Sequence, residues 1–236
     1  EEAVYEEKKM EETEVCFLMD RFGYAKTIDV GAYERNKEAA DTENRYILRC
    51  KNTDKICIFT DRGQMHLLKV LDLPYGKFRD KGTPIDNLSN YNSSEENLVY
   101  IAPMADIRQK KLLFGTKTAM LKLVSGAEFD VAKRTTAATK LNEGDMVLFV
   151  HPVAESDHIV MQSAKDMFLR IEAGTIPEKK KGAVGVRGMR LASGDQLEAI
   201  YLLREEDEPV SVRIKDKEVV LNRLHVANRD TKGVKR

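Results

Sequence analysis

A basic side chain recurs at one distance from one kind of signal. Lys26 follows Gly23, His66 follows Gly63 with Lys69 just beyond, Lys122 follows Ala119, and Arg170 follows Asp166. Each lies three or four residues past a position that reads as a turn. Basic segments containing glycine or threonine run between these points. They carry Lys81, then Lys133, Arg134 and Lys140, then Lys180, Lys181, Arg187 and Arg190, and last Lys232. Taken singly, each is as well read as a solvated surface charge. Taken in register, they suit the neutralisation of a polymer of phosphates. Duplex DNA carries one negative charge per roughly 1.7 Å of axis, and its affinity for proteins comes mainly from such contacts. No base-reading constellation accompanies them. The expected partner is therefore duplex DNA bound without sequence preference, with bendable DNA favoured. Phe78, Tyr91 and Phe149 could wedge into DNA, but core or rim packing is the expected role.

Other chemistries find little support. Cys16, Cys50 and Cys57 are odd in number and unpaired by any CxxC spacing, and they sit among apolar neighbours as small buried hydrophobes do. The four histidines have no metal-ligand spacing, so neither metal nor cofactor is expected. Net charge is zero, with 39 Lys and Arg against 39 Asp and Glu, which argues mildly against a nucleic-acid partner. The charge is segregated, however. Seven glutamates fall in the first 14 residues, whereas basic residues cluster at Lys179–Lys181 and from Arg229 to Arg236. A local basic stripe binds phosphate whatever the total. No apolar run approaches the roughly 20 residues that span a bilayer, and the acidic start is no signal peptide. A cytoplasmic protein with no membrane partner is the expectation.

The elements that must position these residues are β-hairpins. Apolar runs at Val15–Met19, Ile56–Thr60, Lys111–Gly115, His158–Gln162 and Val210–Ile214 are each followed by a turn and a second run. The turns fall at Gly23, Gly63, Ala119, Asp166 and Lys217, about 40 to 56 residues apart, a period typical of bladed architectures. Glycine supplies the positive φ of such turns, Asp tolerates it, and Ala119 fits poorly. A second signal, the basic segment, follows most hairpins. Its copies are Arg79–Gly82, Lys133–Thr136, Lys181–Gly188 and Asp230–Val234, with a glycine-free first copy at Arg35–Ala40. One four-stranded sheet cannot bury both faces alone, so blades must stack. The expected fold is all-β, a propeller-like disc of about five four-stranded blades over residues 14–236. An acidic, helix-prone lead-in at 1–13 precedes it, and little other helix is expected. That architecture would serve equally as a protein-interaction platform, or an enzyme with a site assembled near the axis. Basic charge in register favours DNA, and no carboxylate, histidine or metal constellation supports catalysis.

Specific runs carry a family resemblance. Asp20–Lys26, Thr60–Val70 continuing through Leu73-Pro74, Ser163–Arg170 and Gly185–Leu191 resemble successive blades of the C-terminal domain of type IIA topoisomerase A subunits, gyrase and topoisomerase IV. The resemblance covers residues 14–236. It implies a β-pinwheel whose rim binds and bends duplex DNA for strand passage. It also implies two partners: a breakage-reunion domain of the same polypeptide, which carries the catalytic tyrosine, and an ATPase B subunit. The catalytic domain is not in this sequence, so none of the eight tyrosines is expected to be catalytic. One departure stands out. Gyrase places a basic, glycine-rich box after its first hairpin, where this chain reads Glu34-Arg35-Asn36-Lys37-Glu38-Ala39-Ala40. A backbone nest for phosphate needs permissive glycines, and Glu34 and Glu38 repel phosphate. A topoisomerase IV-like domain is the expectation, with the basic run Lys179 to Gly185 either a displaced box or an ordinary repeat.

Overall fold

The computed structural model describes residues 11–236. The lead-in expected at 1–13 falls mostly outside the described residues, and the first strand begins at Glu14. All five hairpins form. Their strands are Glu14–Asp20 with Tyr24–Asp29, Lys55–Thr60 with Gln64–Lys69, Lys111–Thr116 with Met120–Ser125, His158–Ser163 with Met167–Glu172, and Ser211–Ile214 with Lys217–Val220. The tight turns fall where the sequence calls for a left-handed residue. Gly23, Gly63, Ala119 and Asp166 have φ of 88°, 73°, 67° and 59°. Ala119 accepts this strained conformation while fully buried in the core beneath it. In the fifth hairpin the left-handed residue is Lys215, φ 54°, rather than Lys217, which already belongs to the second strand.

The chain divides into two compact units. One runs to Ile56 and includes Leu68–Leu88; the other comprises Cys57–Leu67 and Ser89–Arg236. The first unit holds the first sheet, in which Asn44–Lys51, Glu14–Asp20, Tyr24–Asp29 and Tyr75–Gly76 lie side by side and Thr83–Pro84 also pairs with the hairpin. The second unit holds three four-stranded sheets. Each has the hairpin at its centre and an outer strand that follows it in sequence: Leu98–Pro103, Val147–Val153 and Leu197–Leu203. The fifth hairpin pairs only with itself among the described residues, so three sheets have four strands, the first has five and the last has two.

The fourth strand of each sheet comes from farther away, and it explains the recurring basic segment. Thr83–Pro84 pairs with Tyr24–Ala25, Thr135–Ala137 with Gln64–His66, Val186–Arg187 with Met120–Leu121, and Val234–Lys235 with Met167–Phe168. Each basic segment thus lies after one hairpin and closes the sheet of the hairpin before it. The expected first copy, Arg35–Ala40, closes nothing. It is helical, in Val30–Arg35 and Lys37–Glu43. The Asp29 carboxylate accepts from the Gly31 amide at 3.1 Å and caps the first helix. Lys37 pairs with Asp41 one turn on, at 2.9 Å. These two helices and the shorter Ile85–Leu88 and Met104–Ile107 are the few α-helices among the described residues, which are otherwise nearly all β, as expected.

Alternation along the strands divides each core sheet between two neighbours. In the third sheet Leu112, Phe114 and Val124 pack with Cys57, Phe59 and Met65 of the second, and with Phe129. Leu113, Leu121 and Leu123 pack with Ile159, Met161, Leu169 and Ile171 of the fourth. The fourth sheet turns Val160 and Phe168 toward Val219 and Leu221 of the last hairpin. Cys16, Cys50 and Cys57 are all buried, as expected.

Candidate nucleic-acid interface

The residues that recur after the turns face inward. Lys122 is 1% exposed. Its ammonium donates to the carbonyls of Ala183 at 2.7 Å, Lys180 at 2.9 Å and Lys181 at 3.2 Å, and lies 5.7 Å from the centroid of the Phe114 ring. Burial lowers its pKa to about 8. Lys26 repeats the arrangement in the first sheet. Its ammonium donates to the carbonyls of Phe78 and Asp80 and sits over the Phe78 ring. Burial lowers its pKa as well. Arg170, one position later in register, donates to the carbonyls of Asn222 and Leu224, and its Nε lies 3.0 Å from His158 Nδ1.

Lys26 and Lys122 span from a hairpin strand to the segment that closes its sheet, whereas Arg170 reaches the helical turn Leu221–Arg223 that follows the fifth hairpin. In the third sheet close approach is permitted by Gly185, which adopts φ +102°; a Cβ there would lie 2.5 Å from the Leu121 carbonyl oxygen. The second sheet uses a different pair in the same register. Thr135 stands where the third sheet has Gly185, and His66 where it has Lys122. His66 is buried, with Nδ1 2.8 Å from Thr135 Oγ1 and Nε2 2.9 Å from Glu96 Oε2. Lys26, His66, Lys122 and Arg170 were expected to touch phosphate. The structure instead commits Lys122 and His66 to buried contacts and half-buries the other two. Strand alternation separates the faces of a sheet, but not which face a distant segment will cross.

The other expected residues are placed differently. Lys69, Lys81, Lys133, Arg134, Lys140, Lys180, Arg187, Arg190 and Lys232 are exposed. Lys181 is half-buried; its backbone N–H donates to the Glu128 carboxylate at 3.3 Å and its ammonium to the Glu128 carbonyl at 3.2 Å. Lys81 lies over the Tyr24 ring at 4.6 Å. Arg187 makes a two-point contact with Asp230, at 2.5 and 3.2 Å. The acid was not anticipated, and neither was Arg229, which donates to the Arg187 carbonyl at 2.8 Å. Both sit inside the basic tail of the sequence, whose crowding of like charge was the available signal. Phe78 and Phe149 pack against cores, and Tyr91 lies edge-on to His66. Among the described residues the large aromatic most open to solvent is Phe22, 72% exposed at the first hairpin tip.

The described residues hold no group of three or more His, Cys, Asp or Glu able to bind a metal ion. Nor is any of their helices long and apolar enough to cross a membrane.

Known proteins share this arrangement. Residues 110–154 and 157–204, the third and fourth hairpins with their outer strands, match the family described as DNA gyrase C-terminal domain, beta-propeller. Over those residues the chain is similar to the C-terminal domain of gyrase A subunits. The A subunit of DNA gyrase from Lawsonia intracellularis (strain PHE/MN1-00) is 26% identical over 94% of this chain and 29% of its own length. Its counterpart from Salmonella typhimurium (strain LT2) is 25% identical over 87% of this chain and 25% of its own length. The chain thus spans about a quarter of the relatives it matches. Among solved structures, the C-terminal domain of DNA topoisomerase IV superposes with a TM-score of 0.84, at 22% identity, over 96% of this chain and 73% of that one. The E. coli ParC C-terminal domain gives 0.77, at 14% identity, over 94% of each chain. The fold is therefore the β-pinwheel of gyrase-type C-terminal domains.

Proposed function

We propose that this chain binds duplex DNA through its phosphates and bends it for strand passage, as the non-catalytic C-terminal part of a type IIA topoisomerase A subunit. One observation carries the reading. Every closing segment brings at least one exposed basic residue to its sheet: Lys81 in the first, Lys133 and Arg134 in the second, Lys180 and Arg187 in the third, Lys232 in the fourth. The inward-facing clamps fix the segments, and the segments carry the charge that reaches solvent. Within the second unit this repeats a phosphate-seeking group from sheet to sheet, as a sequence-independent DNA surface requires.

The parent enzyme is proposed to be of the topoisomerase IV kind. The support is the stretch Glu34–Ala40. It contains no glycine, it is helical, and Lys37 is paired with Asp41 while Glu34 holds Arg49 at 2.9 Å. Such a segment offers phosphate no glycine-built backbone nest, and its Lys37 is already paired. On this reading the partners are duplex DNA, the breakage-reunion domain of the same polypeptide and the ATPase B subunit.

A salt titration with mixed-sequence duplex tests the binding. Neutralising about six phosphates gives a log–log slope of about −5. A slope near zero refutes the phosphate mechanism. Ring closure of short linear duplex in the presence of the domain tests the second part: faster cyclisation supports bending, and an unchanged cyclisation rate refutes it.

A further inference from the structure

The third and fourth closing segments are joined to each other by backbone. Met189 and Thr231 form a parallel bridge. The Asp230 amide donates to the Gly188 carbonyl at 2.8 Å, and the Arg190 amide to the Thr231 carbonyl at 2.9 Å. This register sets Asp230 against Arg187. Asp230 Oδ1 and Oδ2 receive Arg187 Nε and Nη2 side by side, the geometry in which arginine also receives two oxygens of a phosphate. Asp230 is held with φ +62°, a conformation few residues tolerate. Arg190 and Arg229 add their positive fields, and together with the Arg187 hydrogen bonds they hold the Asp230 carboxyl below the usual range. The pair remains open to solvent, with side chains 57% and 32% exposed.

Three arginines around one carboxylate leave a surplus of two positive charges at a point where two closing segments meet. A staple between segments needs one arginine and one acid. The surplus is what an anion site has, and the occupant in this structure is the chain's own acid.

We propose that Arg187, Arg190 and Arg229 form a phosphodiester-binding site that Asp230 occupies as a resident phosphate mimic, so that the chain attenuates its own hold on DNA. The inference rests on the DNA-binding reading above and adds a regulator to it. A phosphate enters by taking the Arg187 edge from Asp230, so each contact made here gives up an ion pair already formed.

Asp230→Asn tests this with little else changed, because asparagine tolerates the left-handed backbone and keeps the side-chain shape. The expected result is about threefold or greater tightening on mixed-sequence duplex, with the salt slope steeper by about one. Adding Arg187→Gln should abolish the gain. Asp207→Asn, at an exposed acid outside the cluster, removes the same charge and should change little. Unchanged or weaker binding by Asp230→Asn, or an equal gain from Asp207→Asn, overturns the proposal. A second readout is independent of DNA: inorganic pyrophosphate should raise the Tm of Asp230→Asn more than that of the unaltered chain. If no protein binds duplex yet pyrophosphate still favours Asp230→Asn, the DNA reading fails and the anion site stands. If pyrophosphate makes no distinction either, the site fails with it.

Discussion

The ammonium of Lys122 lies 2.7 Å from the carbonyl oxygen of Ala183, a residue of the segment that closes the Lys122 sheet. Two further carbonyls complete the cradle, and Thr139 Oγ1 donates to the Ala183 oxygen at 3.1 Å. Replacing Lys122 by Met keeps the length of the side chain and leaves the Lys180 and Lys181 carbonyls without this donor. We expect a loss of about 1–3 kcal/mol in stability, the cost of orphaned buried polar groups. Chemical denaturation of the two proteins checks it, and an equally stable variant would show that the cradle holds nothing.

The same lysine predicts a pH dependence. It titrates near 10.5 when unfolded and about 8 when folded. Between those values the unfolded chain binds more protons than the folded one, so the Lys122 contribution to stability rises as pH rises from about 8 to about 10.5. Below pH 8 both states are protonated and the contribution is flat. The stability difference between the unaltered chain and Lys122→Met, followed from pH 7 to 10.5, should climb across that window.

Two glycines three residues apart should behave oppositely. Gly185→Ala forces a Cβ against the Leu121 carbonyl in a left-handed backbone, and should cost about 1–3 kcal/mol. At Gly182 a Cβ would meet nothing within 4 Å, and alanine there should be neutral or stabilise by about 0.4–1 kcal/mol. Thermal unfolding of both variants decides whether the close approach is what matters.

Substitution of His66 by Leu should be costly for a reason distinct from packing. It leaves Glu96, 8% exposed, without its ring partner and Thr135 without another. A hydrogen bond to a charged group contributes about 1.5–3 kcal/mol, and a loss of that order is expected. If His66→Leu unfolds at the same denaturant concentration as the unaltered chain, the pair contributes nothing net.

The helical stretch that replaces the glycine-rich box should be idle in DNA binding. Replacing Arg35 and Lys37 together by Ala should leave duplex affinity within about twofold, whereas neutralising Lys180 and Arg187 should flatten the salt slope by up to about two. A larger loss from the Arg35/Lys37 variant would place DNA at the first sheet.

What was legible in the sequence follows the range of the interactions. The hairpins were readable because their alternation and their turns are local; even Ala119 proved to be a turn residue by position. The helices at Val30–Glu43 carry a cap in Asp29 and an i, i+4 pair in Lys37 and Asp41, but the stretch reads first as a glycine-free copy of the basic segment. The site was half legible. The recurrence of Lys26, His66, Lys122 and Arg170 was real, but its cause lay in partners many residues downstream, and only those partners reveal that the charge points inward. Asp230 was unreadable as an arginine partner, since its register with Arg187 depends on a bridge between two segments that both look like loops.

The borrowed fourth strand also sets an order of events for a chain emerging from a ribosome. The third hairpin is complete at Ser125, yet its last partner, Val186–Arg187, is made only after the whole fourth hairpin. Until then Met120–Ser125 presents an unpaired edge. Pairings of such long sequence separation make folding slow. Synthesis thus locks each sheet one step behind the newest hairpin. None of the four larger sheets can be excised by cutting on either side of its own hairpin, because the piece removed would leave its last strand behind.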